Sequence, residues 1–164
     1  MVYASTLKIS IPSKSAFVKK RREMRSVRDP YMDQERALGR LLIEYEKHGQ
    51  LIVAFDFDDT VFNTHERPGW EYNQVIELLR KVQPYAHIIC WSASVPERYE
   101  SMWQYFRENN IPCQAINQDA PWVVPHGRKI YANIYLDDRA GLESAYNLLS
   151  LFIETMENYK NGGK

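Results

Sequence analysis

The 164-residue sequence predicts an α/β fold with a parallel central sheet. Two observations predict the sheet: residues 51–56, 87–91, 113–116 and 132–137 read as short buried strands, and the segments between most of them carry apolar residues at helical spacing. A third observation gives the sheet a working end, because the first and last strands run into acids: Asp56, Asp58 and Asp59 after the first, Asp137 and Asp138 after the last. In open parallel sheets, ligands bind outside the carboxyl ends of the strands, so acids there are placed for chemistry rather than for solubility.

Taken in order, the chain begins with a stretch unlike the rest. Leu7, Ile9 and Ile11 alternate with polar residues and stop at Pro12, the pattern of a short edge strand. A basic segment follows, with Lys14, Lys19, Lys20, Arg21, Arg22, Arg25 and Arg28 against the single acid Glu23. A solvated helix face or arm is the ordinary reading of such a run, and contact with a nucleic acid is the functional one. Asp29 and Pro30 predict a helix start, and Tyr31, Leu38, Leu41, Leu42 and Tyr45 mark its buried face up to the stop at Gly49.

After the acidic motif, residues 71–82 predict a helix with Tyr72, Val75, Ile76, Leu79 and Val82 inward, ended by Pro84. Ile88, Ile89, Cys90 and Trp91 lead to Ser92, and Pro96 opens a helix with Tyr99, Met102, Trp103 and Phe106 at core spacing, closed by Asn109 and Asn110. Residues 117–128 form a loop; because it leaves the carboxyl end of a strand, Trp122 and His126 are candidates for touching a substrate, with a core-plugging tryptophan as the equal alternative. A long amphipathic helix over 142–159 buries Leu142, Ala145, Tyr146, Leu149, Phe152, Ile153 and Met156. The organisation expected is a basic amino-terminal segment plus helix over 1–48, a catalytic domain over 49–160 and a flexible tail over 161–164.

Composition narrows the function classes. The formal net charge is zero, so no global field draws the chain to nucleic acid or membrane. No stretch has the length of a membrane span and the amino terminus lacks the apolar core of a signal peptide, so a cytoplasmic protein with no membrane partner is expected. The two cysteines, Cys90 and Cys113, lack metal-ligand spacing and read as buried thiols.

Asp56 and Asp58, two residues apart on extended chain, project the same way; converging carboxylates repel, and a divalent cation relieves them. With Ser92 ending the second strand, Lys129 preceding the last, and Asp137 and Asp138 closing it, residues 51–140 resemble the haloacid dehalogenase (HAD) superfamily of phosphohydrolases in all four of its motifs.

The resemblance implies a HAD-like Rossmannoid three-layer sandwich whose first strand is central with the last beside it. It also implies a magnesium-dependent phosphomonoester hydrolase. Asp56 would be the nucleophile forming an aspartyl-phosphate and Asp58 the general acid and base; Lys129 would be the catalytic cation that stabilises the transferring phosphoryl group and keeps Asp56 ionised, binding phosphate together with Ser92, with Arg128 a rival to Lys129. Mg2+ would be held by Asp56, the Asp58 carbonyl and Asp137, with Asp138 joining directly or through water. Asp59 departs from the superfamily's usual glycine, although an Asp-Asp-Thr variant occurs in it; a turn-capping role is expected here. The intervals between motifs are too short for a cap domain, so an open site is expected unless the amino-terminal segment, the Trp122 loop or another copy in a homo-oligomer covers it. A small phosphorylated substrate such as a nucleotide is the leading expectation. The alternatives are a phosphorylated nucleic-acid end led in by the basic segment, and a non-enzymatic phospho-ligand binding protein.

Overall fold

The computed structural model describes residues 32–124 and 127–162. The expected strand at Leu7, Ile9 and Ile11, the basic segment, Asp29 with Pro30, and His126 lie outside them.

The first described helix, α1 (Gln34–His48), takes Asp33 rather than Asp29 as its cap. The Asp33 carboxylate accepts the Arg36 N–H at 2.9 Å, satisfying one of the amides that a helix start leaves open. Gly49 closes it at φ 73°, a left-handed conformation that glycine adopts freely, and its N–H donates to the Tyr45 carbonyl. Strand β1 (Leu51–Phe55) follows, buried along its whole length. Next come α2 (Asn73–Val82), a 3₁₀ turn at Gln83–Tyr85, and β2 (Ala86–Cys90). The helix expected from Pro96 begins as a 3₁₀ turn, Pro96–Arg98, and becomes α3 at Tyr99–Glu108. Strands β3 (Ala115–Ile116) and β4 (Ile134–Leu136) are shorter than expected, and α4 (Leu142–Gly162) runs into the predicted tail.

The four strands pair in the order β3-β2-β1-β4, all parallel, so β1 is central and β4 lies beside it. In register, Phe55 faces Cys90 on one side and Leu136 on the other. The fold is Rossmann-like, but its layers differ from the expected sandwich. Leu51, Val53 and Phe55 share one cluster with buried residues of all four helices, including Leu41, Leu79, Met102 and Phe152. Ile52, Ala54 and Ile89, on the opposite face, pack only with Ala120, Ile130 and partly buried neighbours from strands and loop. Among the described residues there are therefore two layers, with a loop where the third was expected.

Chain direction accounts for this. The crossovers β1-α2-β2 and β2-α3-β3 step the same way, and a common right hand puts both helices on one face. The connection from β3 back to β4 steps the opposite way, so the same hand carries it over the other face, and the described residues between 117 and 133 hold no helix. Because α1 shares the main core through Leu38 and Leu41, it is packed as part of the same body as the sheet. Each fully buried side chain of this size stabilises by about 1.5–3 kcal/mol before entropy is counted, so the helix face dominates cohesion.

Candidate active site

Asp56 is the first residue past β1. Its N–H donates to the Leu136 carbonyl at 2.8 Å, which ties it to the strand that ends in Asp137, while the Phe55 carbonyl accepts from Trp91 beside Ser92. Neighbouring strand ends thus bring together acids about 80 residues apart in sequence. The consequence is electrostatic: the Asp56 carboxyl is pushed up to about 6 by burial and by the charges of Asp137, Asp58 and Asp138, against the lowering effect of the Phe57 N–H.

Asp58 is not left facing that repulsion alone. Arg98 grips it with both terminal nitrogens, Nη2 to Oδ1 at 2.9 Å and Nη1 to Oδ2 at 3.0 Å, and the Thr64 hydroxyl also donates to it. The guanidinium lies 5.2 Å from the centre of the Phe57 ring and donates to the Ser94 hydroxyl at 3.1 Å. Ser94 in turn meets Ser92, whose oxygen accepts the Ser94 N–H at 3.1 Å. Ser92 is buried and clamped by Asn117, which accepts its N–H at 2.8 Å and donates to its carbonyl at 2.7 Å. A continuous polar path therefore runs from Ser92 through Ser94 and Arg98 to Asp58. Sequence reading missed Arg98 and Asn117. Arg98 left a signal, since a cation at the start of a helix opposes the helix dipole and has to be held by something else.

Asp59 adopts φ 55°, a left-handed conformation that favours glycine; aspartate is one of the few other residues that tolerate it. Its carboxylate gathers the following loop in place of the expected turn-capping: it accepts from the Tyr72 hydroxyl at 3.0 Å, meets His65 Nδ1 at 2.7 Å and pairs with Arg67 at 3.2 Å. Burial raises this carboxyl, but those hydrogen bonds and the Arg67 charge outweigh it and hold it below its ordinary value. Asp138 is fixed through its N–H, which donates to the buried Thr60 hydroxyl at 3.1 Å, and Asp137 accepts the Arg139 N–H at 2.8 Å.

Lys129 is not brought to these acids. Residues ahead of β4 sit at its amino end, whereas Asp137 and Asp138 follow its carboxyl end. The Lys129 ammonium instead lies 4.8 Å from the Tyr135 ring centre, in a cavity that Arg128 also lines. Trp122 is likewise away from the acids, edge-on to His87 in the amino-terminal half of β2 with ring centres 5.0 Å apart. The loop leaves the carboxyl end of β3 but crosses back over the sheet, which the sequence did not reveal.

Both thiols are free, as expected; Cys90 is fully buried and Cys113 partly so. Burial pushes Cys113 up to about 12 and raises Cys90 as well, which keeps both in the thiol form. Among the described residues, no three His, Cys, Asp or Glu side chains converge closely enough to enclose a metal by themselves. The donor set implied by the resemblance is different: two or three carboxylates and one backbone carbonyl, all oxygen, which suits a cation that keeps part of its water shell. Burial raises Asp56 most, and the charges of Asp137, Asp58 and Asp138 add to it; that added negative charge is what such a cation would relieve, so the residues present fit it.

Fold and site define a Rossmann-like α/β domain with an acid cluster at the carboxyl end of its central strands. No known family model and no curated protein matches the chain. Among solved structures it is similar to a conserved protein from Bacteroides thetaiotaomicron, with a TM-score of 0.52 and 24% identity over 70% of this chain and 98% of that one. At that identity the likeness speaks for the fold. No described helix is long and apolar enough to cross a membrane.

Proposed function

We propose that this protein is a HAD-type phosphatase, a magnesium-dependent phosphomonoester hydrolase working through an aspartyl-phosphate. The observation that supports it best is that Asp56 and Asp58 follow a strand paired with the one that ends in Asp137 and Asp138, the Asp56 N–H donating to the Leu136 carbonyl at 2.8 Å. Asp56, Asp137 and the Asp58 carbonyl would hold the cation, with Asp138 at its edge. When bound, magnesium supplies the positive charge that lets an anionic nucleophile approach an anionic phosphate.

The remaining steps belong to the chain. A carboxylate oxygen of Asp56 attacks phosphorus, the bond to the leaving oxygen breaks, and that oxygen takes a proton from Asp58. Water then attacks the same phosphorus, Asp58 accepts the water's proton, and inorganic phosphate leaves with Asp56 restored. Ser92 and the nearby backbone amides hold a phosphate oxygen. Asp58 enters this cycle only when Arg98 releases it, and a substrate phosphate offers the guanidinium an equivalent two-pronged partner. In this reading Arg98 takes the cationic role that the resemblance implied for Lys129. A nucleotide is the first substrate class to try.

The test is phosphate release from nucleoside monophosphates, sugar phosphates and an aryl phosphate, with magnesium, with chelator, and with Asp56→Asn. Turnover that needs magnesium and falls by at least about 1000-fold in the variant is expected. Magnesium binding without turnover on any substrate would favour a binding protein instead.

A further inference from the structure

The helix-free face of the sheet holds a cavity of about 870 Å³, within the range of about 300–1,000 Å³ usual for small-molecule sites. It is separate from the acid cluster. Its wall includes Gln50 and Ile52, so it opens at the amino end of β1, about 13 Å along the strand from Asp56.

The lining has a consistent chemistry. Trp122 and Tyr131 are aromatic and each about half exposed, at 49% and 48%, although they stand on the wall of a cavity. The His87 ring, 5.0 Å away and nearly perpendicular, fixes the indole plane. Arg128 and Lys129 contribute two positive charges, and neither has an ion pair among the described residues. Lys129 is held against the Tyr135 ring at 4.8 Å, a contact that positions an ammonium without neutralising it. The one acid in the lining, Asp119, is engaged by the Tyr131 backbone N–H at 2.8 Å. Aromatic surface beside cations that no described acid pairs is complementary to a ligand that joins a planar ring to an anion.

We propose that this cavity is a second ligand site, taking a small aromatic anion of the nucleotide class with its ring on Trp122 and its phosphate on Arg128 and Lys129. The site does not depend on the phosphatase reading, because no residue of the acid cluster lines it.

The test is an NMR titration of the 15N-labelled full chain carrying Asp56→Asn, with adenosine 5′-monophosphate as probe and adenosine and inorganic phosphate as controls. Saturable shifts are expected at Gln50, Gly127, Tyr131 and the Trp122 indole, with each control binding at least about tenfold more weakly. Lys129→Gln, an exposed change, should weaken binding about tenfold, and Trp122→Leu by a similar factor. Saturable shifts confined to Ser92 and Asn117, unchanged affinity in Lys129→Gln, or no saturable shift at all would each overturn the proposal. Occupation of the cavity by residues 1–31 would produce the last of these and counts equally against it.

Discussion

β1 meets two different environments on alternate residues. Leu51, Val53 and Phe55 lie beneath four helices, whereas Ile52 and Ala54 lie beneath a loop. A helix layer satisfies its own backbone and brings a whole apolar stripe to the sheet; a loop brings scattered side chains and leaves gaps. The first face therefore holds the molecule together and the second has room for a ligand. At the strand's end the same chain enters a third setting, where acids crowd in spite of their repulsion.

The largest expected effect is on the helix face. Phe152→Ala empties a fully buried site packed against Tyr45 and Tyr85 and should cost about 3–5 kcal/mol in urea unfolding. Ile130→Ala beneath the loop should cost only about 2 kcal/mol, the low end for its type, because a loop can settle into the space. Equal losses would break the comparison between the faces.

The acid rim should respond with the opposite sign. The Asp56 carboxyl is raised above its unfolded value, so its stabilising contribution is complete below about pH 3.8 and is lost as pH rises through about 6. Asp56→Asn removes that loss. The variant should be more stable than the parent at pH 7.5 without metal, by about 1 kcal/mol after discounting for partial exposure. The gap should narrow toward zero at pH 4, and destabilisation at pH 7.5 would refute the account of Asp56. Magnesium at ten times its dissociation constant should stabilise the parent by about 1.4 kcal/mol and the variant much less, read as a shift in thermal midpoint. Smallest in energy is Arg98→Gln: about a tenfold rise in KM is expected, with little change in unfolding midpoint, because the guanidinium stands partly in solvent.

Much of this was legible in the sequence because it was local. The apolar runs, the acids that end them, the hydroxyl at Ser92 and the inward faces of the helices depend on spacing along the chain, and they reappear in place. What failed depended on where segments travel. Lys129 lies eight residues before Asp137, close in sequence, yet a strand separates them and puts them at opposite ends of the sheet. Trp122 follows a strand's carboxyl end, but the return crossing carries it away again. Arg98 meets Asp58 across 40 positions, a contact that no local pattern encodes. Asp59 lay between these cases: its departure from glycine was visible, while its bonds to His65, Arg67 and Tyr72 required the loop to fold back.

The short pairing of β4 also has a consequence for the order of assembly. Its three residues contact β1 from some 80 positions away, whereas β1 and β2 pair over five rungs across a single helix. Distant pairings form late because loop closure must precede their reward. A unit of β1, α2 and β2 alone would carry Asp56 and Asp58 without the charges of Asp137 and Asp138. The acid cluster is then expected to form after the β1-α2-β2 unit and to open before it. Amide hydrogen exchange should detect this as openings that expose β4 at lower free energy than β1 and β2.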